Sequence, residues 1–180
     1  VGGTRVRADA ASETQAVLTA LDACCGPDRI DGSRTLPAAE FFVDVFTTGI
    51  EPHELLSEIE IAKPPSRAGT AFEEVSLRTG DFAITSIAAE IHVEEGRIVG
   101  ARLAIGGIAG APFRASLAET RLVGSEPTPN AIGEIAAAQI KHIEFFPTPG
   151  VSAAYRRDAT RALLERTVLR AADRSRRSIR

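Results

Sequence analysis

The sequence predicts an α+β fold, in which helices pack on one face of an antiparallel sheet. Two observations support this prediction. Residues 72–105 hold three strand-like runs, and the chain from residue 114 onward is dominated by helical patterns. Strands followed by helices along a chain are typical of α+β domains. With 180 residues, 44% hydrophobic and 25% charged, the chain is long enough for one domain or two small ones.

The first third of the chain alternates between short helices and short strands. Ser12 with Gln15 fits a capping box that opens a helix. The turn signals Gly26-Pro27 and Asp31-Gly32-Ser33 predict a hairpin of short strands across residues 21–36. Residues 37–42 predict one helical turn that places two aromatic side chains on a core. Residues 55–61 alternate from Leu55 onward and predict a strand.

Lys63-Pro64-Pro65-Ser66 is the best candidate for a domain boundary. Two adjacent prolines disfavour a helix and the interior of a sheet alike. We therefore expect one unit over residues 1–63, a second over residues 67–173, and a basic solvated tail over residues 174–180.

The second unit begins with three predicted antiparallel strands, over residues 72–77, 84–93 and 98–105. Glu94-Glu95-Gly96 predicts a hairpin turn between the last two. In the middle strand, the odd positions are Thr85, Ile87, Ala89, Ile91 and Val93. The even positions are Ser86, Ala88, Glu90 and His92. This alternation predicts a sheet with one buried face and one solvated face.

Three helices follow the strands. The first ends at Gly124, and Thr128-Pro129 supplies a cap and a first-turn proline for the second. The last begins near Ser152 and carries one apolar stripe surrounded by arginines.

Charge, cysteines and histidines exclude several classes of function. A net charge of −3 provides no basic field for nucleic acid. The sequence contains no apolar run of membrane-spanning length. The two cysteines, Cys24 and Cys25, are adjacent, which argues against a disulfide framework and a Cys-rich metal site and favours buried strand residues. The three histidines lack metal-ligand spacing. We expect no metal on this chain and a cytoplasmic compartment.

Two adjacent glycines stand at the start of the chain, in Val1-Gly2-Gly3-Thr4. Glycine allows the backbone to approach a phosphate closely and to adopt a positive φ. An ordinary turn remains the alternative interpretation. Because the pair begins at residue 1 and the chain contains no Met, we expect the sequence to be the later part of a larger nucleotide-cofactor protein. The second glycine-rich segment, Gly106 to Gly110, lacks a phosphate-binding Lys or Ser and is interpreted as a turn that ends a strand.

Ordered sequence blocks over nearly the whole chain resemble the medium, FAD-binding subunit of molybdenum hydroxylases, of the aerobic carbon monoxide dehydrogenase and xanthine dehydrogenase type. These blocks are Val1-Gly2-Gly3-Thr4, Ala8-Asp9-Ala10-Ala11-Ser12-Glu13, Ala39-Glu40-Phe41-Phe42, residues 47–56, Phe72-Glu73-Glu74-Val75, residues 78–84 and Tyr155-Arg156-Arg157. The resemblance implies the end of a PCMH-type FAD-binding domain over residues 1–63 and a CO dehydrogenase flavoprotein C-terminal domain over residues 67–173.

The resemblance also implies a cofactor and its contacts. The cofactor-binding residues carried over are Val1, Gly2, Gly3, Thr4, Glu13, Leu56 and Glu73. The first four would lie along the flavin and pyrophosphate of FAD. Glu13 would accept hydrogen bonds from ribityl or ribose hydroxyls, because a carboxylate repels a pyrophosphate. An acid at Glu13 is equally explained by the dipole of the helix that it begins. At Glu73 some relatives place Lys.

The implied function is that of an oxidoreductase electron-transfer subunit without catalytic residues of its own. FAD would pass electrons from [2Fe–2S] clusters on a small partner subunit, which receive them from a molybdenum cofactor on a large subunit, to an external acceptor. The alternative is a non-catalytic docking module of such a complex that binds no flavin.

Overall fold

The computed structural model describes residues 6–9, 12–78 and 81–177. The glycine pair at positions 2 and 3 lies outside the described residues, together with Val1 and Thr4 of the same block. Two residues of the block at positions 8–13 and two of the block at positions 78–84 also lie outside them.

The first unit consists of short elements around a small core. They are α1 (Glu13–Ala20), β1 (Cys24–Arg29), β2 (Gly32–Ser33), β3 (Leu36–Pro37), α2 (Ala38–Phe41), β4 (Phe42–Asp44), β5 (Thr47–Thr48) and β6 (Leu55–Glu60). Strand β1 pairs antiparallel with β2, β3 and β6, and β4 pairs with β5 in a separate hairpin. The predicted hairpin, the helical turn and the later strand are all confirmed.

Phe41 and Phe42 are the aromatic centre of this first core. Both are buried, and their rings meet edge to face with centroids 5.1 Å apart. Cys25 is buried beside them in the same core, Cys24 is half-buried, and neither cysteine forms a disulfide. The prediction of strand cysteines is confirmed.

The second unit is a four-stranded antiparallel sheet covered by three helices. It consists of β7 (Ala68–Ser76), β8 (Ala83–Glu94), β9 (Arg97–Gly106), β10 (Phe113–Arg114), α3 (Ser116–Leu122), α4 (Pro129–Ile140) and α5 (Ala153–Arg177), with strand order β10-β9-β8-β7. The three helices of this unit bury one face of the sheet in the main hydrophobic core. The predicted α+β class and its antiparallel strands are confirmed.

The prediction of a solvated sheet face is wrong for the middle strand. Ser86, Ala88 and Glu90 of β8 are 1%, 3% and 5% exposed. The reason is that α1, which belongs to the first unit, packs on this face, where Ala16 and Ala20 meet Ala88 and Ala104 in a cluster of small side chains. Strand β8 is therefore buried on both faces.

Both capped helix starts are confirmed in position, but only one makes the capping hydrogen bond that the sequence predicts. The Thr128 hydroxyl accepts a hydrogen bond from the N–H of Ala131 at 3.4 Å, with Pro129 in the first turn. Ser12 stands at the N-cap position of α1, but its side chain makes no capping hydrogen bond, and Gln15 is 1% exposed. The capping box is wrong because the Gln15 side chain is buried instead of reaching back to the helix start.

Within the described ranges, every helix is too short or too polar to cross a bilayer. The same part of the chain contains no group of three or more His, Cys, Asp or Glu residues that could hold a metal ion.

Candidate functional site

Three residues form a row across one end of the large sheet. Glu74 of β7 pairs with Ser86 of β8, and Ser86 pairs in turn with Gly106 of β9. The row lies on the face that α1 covers, since the neighbouring residue Phe72 packs against the small-residue cluster under that helix. We call Glu74, Ser86 and Gly106 the sheet-end row.

The absence of a side chain at Gly106 allows the first turns of α1 to approach the sheet closely. A Cβ atom at Gly106 would lie 2.7 Å from Ser86 Oγ and 3.2 Å from the Cβ of Ala16. Both distances are shorter than ordinary van der Waals contacts, so a larger residue would push the helix away from the sheet. The first turn of α1, which begins with Glu13, therefore lies close to the sheet-end row.

Two carboxylates lie near enough to one another at this position for the charge of Glu13 to act on Glu74. Glu13 is exposed in the first turn of α1, where the helix dipole favours a negative charge. Glu74 is half-buried below it. Desolvation, and then the negative charge of Glu13, raise the pKa of Glu74 above its ordinary value. This edge of the site can therefore accept hydrogen bonds from hydroxyl groups, and it repels further negative charge.

At its other end, α1 is tied to the large sheet by an ion cluster. Asp22 follows the helix with a φ of 49° and pairs with Arg114 of β10 and, at 3.8 Å, with Arg102 of β9. Arg114 also donates from Nε to Glu119 Oε1 at 2.6 Å. Both ends of α1 thus contact the second unit.

The glycine-rich turn after β9 joins the two units. Gly107 has a φ of 79°, and a Cβ there would lie 2.9 Å from the carbonyl oxygen of Ala83. At Gly110 a Cβ would overlap the carboxylate of Asp44 in β4. The interpretation of this segment as a strand-ending turn is confirmed, and the structure adds that its glycines allow the first unit to pack against it.

Residues 6–9, shortly after the glycine-containing block at positions 1–4, are anchored on the β4–β5 hairpin. The Ala8 carbonyl accepts the N–H of Phe46 at 2.8 Å, and Ala8 is buried with a φ of 48°. The guanidinium of Arg7 lies 5.5 Å from the centre of the Phe46 ring, within the range of a cation–π interaction. The predicted phosphate-binding segment therefore leads into an ordered attachment on the first unit.

The predicted site residues that the structure describes, Glu13, Leu56 and Glu73, lie in three different places. Val1, Gly2, Gly3 and Thr4 lie outside the described residues. Glu13 lies at the sheet-end row, whereas Leu56 packs half-buried against the core of the first unit.

Glu73 faces the opposite side of the sheet from Glu13. Its carboxylate is paired with Arg166 and, at 2.8 Å, with Arg170 of α5. The flavin contacts of Leu56 and Glu73 stay predictions.

Sequence reasoning missed Glu74, the carboxylate that shares a sheet face with Glu13. Strand alternation contains the necessary signal, because adjacent residues of β7 face opposite sides. It also missed the exposed Phe82 and Leu77, which are 66% and 64% exposed at the same end of the sheet. Exposed apolar side chains therefore lie at the same end of the sheet as the carboxylate of Glu74.

Comparison with known families identifies the class of protein. Residues 70–171 match the family described as CO dehydrogenase flavoprotein C-terminal domain, and residues 1–64 match the family described as FAD binding domain in molybdopterin dehydrogenase. The chain belongs to the CO dehydrogenase flavoprotein C-terminal domain family. The suspected resemblance is confirmed.

Three similar proteins are named as subunits or chains of dehydrogenases or of a hydroxylase. The chain is 35% identical over 98% of its length to the 6-hydroxypseudooxynicotine dehydrogenase complex subunit alpha, and 30% identical over 97% to the nicotine 6-hydroxylase medium subunit, both of Paenarthrobacter nicotinovorans. It is 33% identical over 91% to the glyceraldehyde dehydrogenase medium chain of Sulfolobus acidocaldarius. The chain spans 60%, 61% and 58% of the lengths of these three relatives.

Solved structures show the same fold. Quinoline 2-oxidoreductase from Pseudomonas putida 86 matches with a TM-score of 0.90 at 28% identity, over 96% of this chain and 60% of that one. Reconstituted CO dehydrogenase from Oligotropha carboxidovorans matches with the same TM-score, identity and coverage.

Proposed function

We propose that this chain forms part of the medium, FAD-binding subunit of a molybdenum hydroxylase. In this role it passes electrons from [2Fe–2S] clusters through FAD to an external acceptor. The observation that carries the proposal is the position of Glu13 and the start of α1 on the sheet-end row. The match of residues 1–64 of the same chain to an FAD-binding family supports the proposal as well.

The residues of this chain would bind and orient the cofactor. Val1, Gly2, Gly3 and Thr4 would provide backbone N–H groups and close approach along the flavin and pyrophosphate. Glu13 would accept hydrogen bonds from ribityl or ribose hydroxyls. Leu56 and Glu73 complete the proposed contacts. FAD supplies the redox chemistry, and the protein supplies position and electrostatics.

The proposed partners follow from the class of complex. A small subunit would hold the [2Fe–2S] clusters and a large subunit the molybdenum cofactor, where the substrate is oxidised. Relatives of this chain are named as medium subunits or medium chains, which supports a place between two such partners. We propose a cytoplasmic location for the complex.

Flavin content of the full-length subunit tests the proposal. We expect the purified subunit to contain FAD, seen as visible flavin absorbance. Gly3→Val should abolish flavin retention after gel filtration, because a β-branched side chain blocks backbone approach and disfavours positive φ. Gly100→Val is the matched control, since a Cβ at Gly100 meets only the His92 Cβ at 3.5 Å in the β8–β9 pair. Absence of flavin from the wild-type subunit would favour the docking-module alternative.

A second measurement uses the 180-residue chain itself. FAD binding should be weak, with no submicromolar affinity by flavin fluorescence, because the resemblance assigns the cofactor to a cleft between this lobe and a second one. Submicromolar binding would contradict a two-lobed site.

A further inference from the structure

Arg156 is a buried cation that holds three segments together. It lies in the first turn of α5 and is 6% exposed. Its guanidinium donates to the carbonyl oxygens of Phe146 at 2.8 Å, Gly107 at 2.5 Å and Ile84 at 3.5 Å. The three acceptors belong to the loop before α5, the glycine-rich turn and the start of β8.

Among the described residues, no carboxylate forms an ion pair with Arg156, and its hydrogen-bond acceptors are all backbone carbonyls. Its Nε atom has no hydrogen-bond partner there. Burial lowers the pKa of the guanidinium from its ordinary value. The residue also stands at the positive end of the dipole of a 25-residue helix. Burying this charge without a counter-ion carries a desolvation cost, which its hydrogen bonds to the three carbonyls must offset.

The carbonyls that Arg156 binds adjoin the sheet-end row from the other face of the sheet. Ile84 lies two residues before Ser86, and Gly107 directly follows Gly106. One turn further along α5, the hydroxyls of Thr160 and Thr85 lie 2.9 Å apart. The start of α5 is thus attached to the start of β8 by two adjacent side chains.

We propose that Arg156 is a positioning residue for the flavin site. It fixes, from the α5 face, the backbone of β8 and of the glycine-rich turn, on whose opposite face α1 and Glu13 rest. This inference rests on the proposed function. The guanidinium fork is needed because it reaches three carbonyls at once. A lysine ammonium in the same place keeps the charge but lacks the planar array of donors.

Arg156→Lys and Arg156→Met in the full-length subunit test the proposal. We expect both to weaken FAD binding at least tenfold in fluorescence titrations and to shift the visible absorption band of the flavin that remains bound. Arg157→Met is the matched control, because Arg157 is the exposed neighbour on the same helix turn. Val168→Ala, on the buried side of α5, should lower the melting temperature without touching the sheet end and should leave FAD affinity unchanged.

Hydrogen exchange of the flavin-free subunit supplies a readout that does not depend on flavin binding. We expect the amides of residues 83–86 and 105–108 to exchange faster in Arg156→Lys than in the wild type. The positioning role would be overturned if these segments exchanged at the wild-type rate in Arg156→Lys. It would also be overturned if both Arg156 variants bound FAD with wild-type affinity and showed the wild-type absorption band. If the wild-type subunit binds no FAD while exchange increases as expected, the proposed function fails and the structural coupling stands.

Discussion

Glu73 and Glu74 are adjacent on β7, and their carboxylates face opposite sides of the same sheet. Glu73 is paired with Arg166 and Arg170 of α5. Glu74 faces α1, where its acidic neighbour Glu13 raises its pKa in addition to the effect of burial. One residue is therefore a neutralised part of the second unit, and the other is an unneutralised acid at the contact between the two units.

Replacing Glu74 with Gln should raise stability slightly at neutral pH. The pKa of Glu74 is higher in the folded state than its ordinary value. The ionised carboxylate therefore destabilises the fold, and this destabilisation develops as pH rises from the ordinary carboxyl pKa to the raised one. We expect Glu74→Gln to melt higher than the wild type at pH ~7, with the difference vanishing at pH below ~4. Glu134→Gln, at an exposed helix position, is the control and should show no such pH dependence.

The ion pair of Arg34 and Glu54 should make the first unit sensitive to acid. Arg34 donates to both carboxylate oxygens at 2.6 and 2.7 Å, and the N–H of Glu51 donates to one of them at 2.8 Å. The hydrogen bonds from Arg34, and then from Glu51, lower the pKa of Glu54 to about 2. Because the pKa of Glu54 is lowered in the folded state, its ionised carboxylate stabilises the fold at pH values above the ordinary carboxyl pKa. This stabilisation is lost as pH falls toward the lowered pKa.

Arg34→Met should therefore lower the melting temperature at neutral pH and converge with the wild type only below pH ~2, where the Glu54 carboxyl is protonated in both proteins. Arg29→Met removes a 3.9 Å pair with Glu51 between exposed side chains and should have little effect at any pH. A melting-temperature difference between Arg34→Met and the wild type that stayed constant across the whole pH range would show that this ion pair does not cause the acid sensitivity.

Gly107→Ala should destabilise the chain more than Gly124→Ala. Both glycines have positive φ, 79° and 86°, and a non-glycine residue in this region costs about 1–2 kcal/mol. At Gly124 a Cβ meets nothing within 4 Å, whereas at Gly107 it lies 2.9 Å from the Ala83 carbonyl oxygen. We expect a loss of about 1–2 kcal/mol for Gly124→Ala and a larger one for Gly107→Ala, measured by urea unfolding. Equal losses of unfolding free energy would show that the backbone near Gly107 can move away from β8 without a further energetic cost.

The predicted boundary at residues 63–66 should be the first site of proteolysis. Residues 61–65 have no regular secondary structure, and residues 61–67 are all exposed. Limited proteolysis should cut near residues 64–69 and leave a resistant fragment from the second unit, which we expect to fold when residues 67–173 are expressed alone. The fragment should melt below the intact chain, because removing α1 exposes Phe72 and Ala88. First cuts within β8 or β9 would contradict this division.

The sequence by itself determined the local elements and the family. Strand alternation, turn glycines and the Thr128-Pro129 helix start were sufficient because each depends on residues close together in the chain. The blocks that carried the resemblance are likewise contiguous, and the family matches at residues 1–64 and 70–171 confirm that resemblance.

Only the tertiary structure decided which surfaces meet. The contact of Ala16 with Gly106, and the burial of Ser86 and Glu90, depend on α1 crossing from the first unit to the second. No periodicity within β8 could predict this, because small and polar residues on a strand face are compatible with either water or a closely packed helix. The partners of Arg156 are likewise backbone carbonyls, which every residue possesses, so only the folded chain shows which ones its guanidinium reaches.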